Sequence, residues 1–125
     1  MDAPEDLLTK IQALVDRNSK YKFEAYSFIL SALHYTMTNV KPPRHVSGQE
    51  FCDGIRRYAI EQYGPMARTV LEHWGATSTM DFGQIVFDLV DIGLMRKTEE
   101  DSLNDFKDVY DFRTAFSSKN AFELQ

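Results

Sequence analysis

Apolar residues return every three or four positions along most of the chain, which is the spacing of one face of a helix. This pattern predicts helices over residues 4–18, 24–38, 48–63, 65–74 and 79–92. No apolar run approaches the roughly 18 residues that a membrane-spanning helix needs. The sequence therefore predicts a mainly α-helical protein with five helices and no membrane contact.

Polar residues indicate where two of these helices begin. Ser47 is followed three residues later by Glu50, and Ser78 is followed at the same distance by Asp81. Both pairs fit a capping box, in which each side chain binds the backbone N–H of the other residue. At the end of the fourth predicted helix, we expect Trp74 to be buried against the fifth.

The length of 125 residues and the hydrophobic share of 43% suit one folded core. We expect a single globular domain over residues 1–116. It would consist of a helical pair at 4–40, a linker at 41–46 where two prolines interrupt the helical pattern, and a third part at 47–112. Residues 117–125 are expected to form a flexible tail.

The order of elements after the linker resembles that of a winged helix. Three predicted helices are followed by two segments of alternating character, at residues 94–98 and 106–112. We therefore expect a winged-helix-like C-terminal half that ends in a short β-hairpin near residues 94–112. The alternative is a short helix that begins at Thr98, with Asp101 as its capping partner.

Several uninterrupted runs also resemble a small bacterial protein family that is restricted to Verrucomicrobium and planctomycetes. The runs are YKFEAYSFILSALHYT, RHVSGQEFCDGIRRYAIEQYGPMARTVLEHWG, DFGQIVFDLVDIGLMRKTEEDS and DFKDVYDFRTAF, and together they cover about residues 21–116. The resemblance implies a bacterial protein. It implies no activity, substrate or catalytic residue.

The residues that could perform catalysis or bind a metal do not form a familiar motif. The single cysteine and three histidines lack the spacing of known metal sites, so we expect no metal and no cofactor. Cys52 lies inside a predicted helix and is expected to be a small buried residue. Ser47 has His45 nearby as a base, but its hydroxyl is already expected to cap a helix. A small enzyme without a recognisable motif is therefore only the third hypothesis for function.

Negative charge is concentrated in one part of the chain. Residues 75–112 carry nine acidic and three basic side chains, whereas residues 1–74 carry nine of each. We expect this acidic part to bind a protein with a basic surface. The same uneven distribution of charge also suits contact between two copies of the chain. The residues expected to bind the partner are Asp81, Gln84, Asp88, Asp91, Glu99, Glu100 and Asp101.

A smaller basic cluster supports a second hypothesis, binding of RNA or the ribosome. Its members are Lys41, Arg44, Arg56, Arg57 and Arg68. Duplex DNA is not expected as a ligand, because the helix that would enter the groove is acidic and would be repelled by phosphates.

The compartment follows from the N-terminus and the cysteine content. The chain begins with acidic residues rather than the basic region of a signal peptide, and one cysteine cannot form an internal disulfide. The sequence therefore predicts a cytoplasmic, non-enzymatic protein–protein interaction domain.

Overall fold

All five predicted helices are present, and their ends differ from the predicted ones by at most three residues. The structure is a computed structural model, which describes residues 6–117. A sixth helix of a single turn follows near the end of the described part. The helices are α1 (Leu7–Arg17), α2 (Phe23–Thr38), α3 (Gly48–Tyr63), α4 (Ala67–His73), α5 (Thr79–Asp91) and α6 (Phe112–Ala115).

Two features of the prediction lie partly outside the described residues. The start of the first predicted helix, at residues 4 and 5, is one of them. The other is the expected flexible tail, of which only residue 117 is described. The expected linker at 41–46 is an irregular segment between α2 and α3, and the Lys41–Pro42 peptide bond in it is cis.

The predicted capping boxes at the start of α3 and α5 are both confirmed. The Ser47 hydroxyl accepts a hydrogen bond from the Glu50 N–H at 3.1 Å, and the Glu50 carboxylate accepts one from the Ser47 N–H at 2.9 Å. At α5 the Asp81 carboxylate accepts a hydrogen bond from the Ser78 N–H at 3.2 Å. Both helices therefore begin where short-range hydrogen bonds satisfy their first N–H groups.

The β-hairpin prediction is wrong, and the winged-helix prediction fails with it. Residues 94–112 contain no strand and fold instead into turns and one 3₁₀ helix at Leu103–Phe106. Side chains bend the backbone here, since Asp101 accepts a hydrogen bond from the Thr98 N–H and Asp105 accepts one from the Ser102 N–H. The alternative prediction of a helix beginning at Thr98 is also wrong, because the turn at Thr98 ends before the 3₁₀ helix begins.

Phe106 anchors this irregular segment to the helices. Its ring is only 4% exposed and lies against two glycines, Gly83 in α5 and Gly48 at the start of α3. A Cβ atom on Gly83 would lie 2.7 Å from the ring. The hydroxyl of buried Thr79 donates a hydrogen bond to the Phe106 carbonyl at 2.6 Å and accepts one from the Val109 N–H at 3.1 Å. The segment is therefore held across α3 and α5 and cannot extend away as a wing.

Trp74 packs against the core and is mostly buried, in line with the prediction, but its ring contacts lie with α2 and α3 rather than with α5. Its ring packs against Phe28 in α2 and Tyr63 at the end of α3, with centroid distances of 5.7 and 5.8 Å. The apolar face of α4 nevertheless reaches the core through Ala67 and Leu71. Buried side chains from all six helices belong to one apolar cluster, which includes the fully buried Cys52.

Helices α2 and α3 pack so closely at one point that only glycine fits. A Cβ atom on Gly54 would collide with the hydroxyl and methyl groups of Thr36, which is itself buried. The Thr36 hydroxyl donates a hydrogen bond to the Ala32 carbonyl at 2.8 Å, so its rotamer is held. The close approach therefore depends on both residues.

We predict that Gly54→Ala lowers the free energy of unfolding by about 1–3 kcal/mol, because the added methyl group overpacks the contact with Thr36. Alanine is otherwise the better helix former, by about 1 kcal/mol. Urea unfolding measures the change, with exposed Glu61→Ala in the same helix as the control. In a Thr36→Ala background the same substitution should destabilise less. A more stable Gly54→Ala protein would contradict the close packing.

Candidate functional site

Asp81 does not lie on an exposed stripe of α5, so that part of the predicted acidic face is wrong. The residue is 8% exposed. Its carboxylate accepts hydrogen bonds from the Tyr21 hydroxyl at 2.5 Å and from the Thr77 N–H at 2.9 Å, and Lys20 Nζ lies 3.3 Å away. Asp81 therefore joins the α1–α2 turn to the start of α5.

The surroundings of Asp81 keep it ionised. Burial opposes the charge, but the hydrogen bonds from Tyr21 and Thr77 and the charge of Lys20 outweigh it and hold the pKa below its usual value. Burial and the bond to Asp81 raise the pKa of Tyr21. The pair is thus a buried, charge-assisted hydrogen bond that stabilises the fold.

Asp88 and Gln84 are also used within the protein. Asp88 is half-buried and accepts hydrogen bonds from the Tyr26 hydroxyl at 2.9 Å and from the Gln84 side chain at 3.2 Å. Asp91, the last residue of α5, is exposed and has no partner among residues 6–117. Of the predicted helix positions, Asp91 alone is therefore fully available to a partner.

The acidic loop after α5 stays accessible. Glu99 and Glu100 are exposed, and neither forms an ion pair within the described part of the chain. Asp101 is partly buried and lies 3.0 Å from His45 Nε2. Burial opposes the charge on Asp101, but the Thr98 N–H and His45 together keep its pKa lowered. The loop therefore presents two unpaired carboxylates beside a paired one.

Three arginines of the predicted basic cluster are paired with acids. The Arg44–Glu50 pair has two hydrogen bonds, and these lower the pKa of Glu50 to about 2, with help from the Ser47 N–H. The other two pairs connect residues four positions apart in one helix. They are Arg57–Asp53 at 3.0 Å and Arg68–Glu72 at 2.9 Å.

The remaining two members of the basic cluster differ from each other. Arg56 is partly buried and donates a hydrogen bond to the Ala115 carbonyl at 3.1 Å, which ties α3 to α6. Lys41 is exposed in the linker and has no acidic partner among the described residues. The five residues therefore do not form an unpaired cationic surface.

A groove that the sequence analysis missed lies between α2, α3, α5 and the segment after α5. Its cavity has a volume of about 390 Å³. Leu33, Phe51, Phe87 and Leu94 are among its apolar walls. The six polar side chains that line it are His45, Ser47, Arg96, Lys97, Asp101 and Asp105. An apolar cavity with a few convergent polar groups is the usual form of a small-molecule site.

One signal in the sequence points to this groove. The run Leu94-Met95-Arg96-Lys97 places two apolar residues directly before two basic ones, after a glycine with φ of +80° that turns the chain back at the end of α5. The alternating pattern of the same run predicts a strand instead. Whether this run forms a strand or a wall of the groove depends on where Phe106 packs. The spacing of residues along the chain does not show that position.

Ser47, His45 and Asp101 all line the groove, and these residue types occur in hydrolase triads. The His45–Asp101 contact is formed, but no hydrogen bond joins His45 to Ser47 in the described structure. The Ser47 hydroxyl accepts the Glu50 N–H and acts as a helix cap. The three residues are therefore not arranged as a nucleophile, base and orienting acid.

Residues 6–117 contain neither a cluster of metal ligands nor a membrane-spanning helix. No group of three or more His, Cys, Asp or Glu side chains there could hold a metal ion. None of the helices in this part of the chain is both long and apolar enough to cross a membrane.

Comparisons with known proteins found no match. This holds for protein-family models, for curated proteins and for solved structures. The resemblance to the bacterial family described above therefore stays a prediction, and the functional argument depends on the groove and the surface charges.

We predict that Asp81→Asn lowers the free energy of unfolding by about 1–3 kcal/mol at neutral pH, because buried donors lose their charged acceptor. The folded pKa of Asp81 is lowered, so its contribution is complete above the unfolded pKa of about 4 and disappears as the pH falls through the folded pKa. The difference between the two proteins should therefore shrink in acid.

Urea unfolding between neutral and acidic pH measures this difference. Asp91→Asn, in the same helix but exposed, is the matched control and should change stability by less than about 0.5 kcal/mol. An equal effect of the two variants would contradict the role assigned to the Tyr21–Asp81 bond.

Proposed function

We propose that this chain is a cytoplasmic, non-enzymatic interaction domain that binds a basic protein surface through the end of α5 and the loop after it. The contact residues are Asp91, Glu99 and Glu100, with the partly buried Asp88 and Asp101 at the edge. Asp81 is left out of this surface because it is buried and holds the fold, and Gln84 is left out because its side chain donates to Asp88 in the same helix.

The observation that supports the proposal is an asymmetry in how charges are paired. Arginines in the first part of the chain are neutralised by nearby carboxylates, as in the pairs formed by Arg44, Arg57 and Arg68. Glu99 and Glu100 form no ion pair within residues 6–117, although the exposed cations Arg96 and Lys97 precede them in the chain. Unpaired surface charge attracts a partner of opposite sign and raises the rate of encounter.

RNA or ribosome binding has less support from the same observation. A surface that binds phosphates needs unpaired cations, because a cation that neutralises a phosphate releases the counterions condensed on the nucleic acid. Arg44, Arg57 and Arg68 already contact carboxylates, and Arg56 donates to a carbonyl group. Of the cluster, only Lys41 is both exposed and unpaired among the described residues.

We predict that Glu99→Lys with Glu100→Lys weakens binding of a fluorescein-labelled octalysine peptide several-fold at low salt, because two attractive charges become repulsive. Fluorescence anisotropy measures the affinity at about 50 and about 200 mM salt. Glu24→Lys with Glu61→Lys makes the same change in net charge at exposed helix positions and is the matched control. Equal weakening by both double variants would mean that net charge alone binds the peptide, which would contradict the proposal.

Duplex DNA should not bind appreciably at physiological salt, since the exposed end of α5 and its loop repel phosphates. An anisotropy titration with duplex DNA and with a structured RNA tests this. Micromolar duplex binding that weakens steeply with salt would contradict the proposed function. Binding of RNA alone that is lost in Arg56→Glu with Arg57→Glu would favour the second hypothesis.

A further inference from the structure

The groove has the size and the walls of a small-molecule site. Its volume of about 390 Å³ lies within the range of roughly 300–1,000 Å³ typical of such sites. Apolar side chains of three helices and of the segment after α5 form its walls, including Met37, Phe51, Val86 and Met95. A ligand that fills it must therefore bury an apolar body.

Two cations that line the groove have no acidic partner within residues 6–117. Arg96 and Lys97 are exposed, and neither contacts a carboxylate within residues 6–117. Lys97 Nζ lies 6.0 Å from the centre of the Phe87 ring, so its charge is held directly over an apolar wall.

The two carboxylates that line the groove are already occupied. Asp101 accepts the Thr98 N–H at 2.8 Å and contacts His45, and Asp105 accepts the Ser102 N–H at 3.0 Å. These contacts hold both acids in the turns of the loop and partly offset their charge. The cations of the rim, unlike its anions, are therefore available to a ligand.

We infer that the groove binds a small carboxylate amphiphile, with its apolar chain between the helices and its carboxylate at Arg96 and Lys97. A guanidinium and an ammonium group suit a carboxylate, and burial of each CH₂ group adds about 0.8 kcal/mol. The ligand is a free molecule rather than a lipid in a bilayer, because the groove encloses the chain on several sides.

This site is independent of the proposed docking surface. It uses the groove walls and two cations, whereas protein docking uses Glu99, Glu100 and Asp91. Failure of one proposal therefore does not affect the other. The Glu99→Lys with Glu100→Lys variant tests protein docking, and the Arg96→Gln with Lys97→Gln variant tests the groove.

Isothermal titration calorimetry with octanoate, 1-octanol and octylammonium, all below their micelle-forming concentrations, tests the assignment. The three probes share one chain and differ in the charge of the head group. We expect saturable binding of one octanoate per chain, weaker binding of 1-octanol and the weakest of octylammonium. Amide NMR shifts on octanoate addition should concentrate at residues 93–97 and at the start of α3.

Arg96→Gln with Lys97→Gln should weaken octanoate binding about tenfold or more, and 1-octanol binding much less, since each charge-assisted hydrogen bond contributes strongly. Lys22→Gln with Arg113→Gln removes two exposed cations elsewhere and is the matched control. Both pairs are exposed, so circular dichroism should show unchanged helix content.

Three outcomes would overturn the inference. They are equal affinity for octanoate and octylammonium, equal weakening by both double variants, and no binding of any probe. Binding to phosphatidylglycerol vesicles without binding of monomeric octanoate would also overturn it, because it would indicate a membrane surface rather than an enclosed site.

Discussion

The buried hydroxyl of Thr79 holds the chain after α5 against the helices, and the functional features of the surface depend on it. It binds the carbonyl of Phe106 and the N–H of Val109 at once, so the loop returns over α3 and α5. Gly48 and Gly83 leave room for the Phe106 ring. With this contact the segment after α5 becomes the fourth wall of the groove.

Some charged side chains of this protein are paired within the fold, and others stay exposed at its surface. Arg57 and Arg68 find acids four residues away, at low entropic cost, because helix geometry places positions four apart on one face. Asp81 and Asp88 instead accept hydrogen bonds from tyrosines of the N-terminal part, and Asp81 is buried whereas Asp88 stays half-buried. Glu99 and Glu100 in the acidic loop stay exposed and unpaired within residues 6–117, as do the cations Arg96 and Lys97, so the charge available to a partner is more local than the composition indicates.

The acidic loop and the groove lie next to each other and favour ligands of opposite charge. The Asp101–His45 contact ties the loop to the linker before α3, and Arg96 and Lys97 precede the loop in the chain. A basic partner at Glu99 and Glu100 and an anionic ligand at the groove would therefore bind side by side. Such closeness allows one ligand to change the affinity of the other through a shared loop.

The sequence alone determined the five helices and the capping boxes at Ser47 and Ser78, because those features depend on contacts within about four residues. It also placed Cys52 in the interior. The tertiary structure alone decided which acids are buried, since the bond between Tyr21 and Asp81 joins residues 60 positions apart. It likewise decided that residues 94–112 form a loop and a groove wall, because the Phe106 ring packs between Gly48 and Gly83, which are distant from each other in sequence.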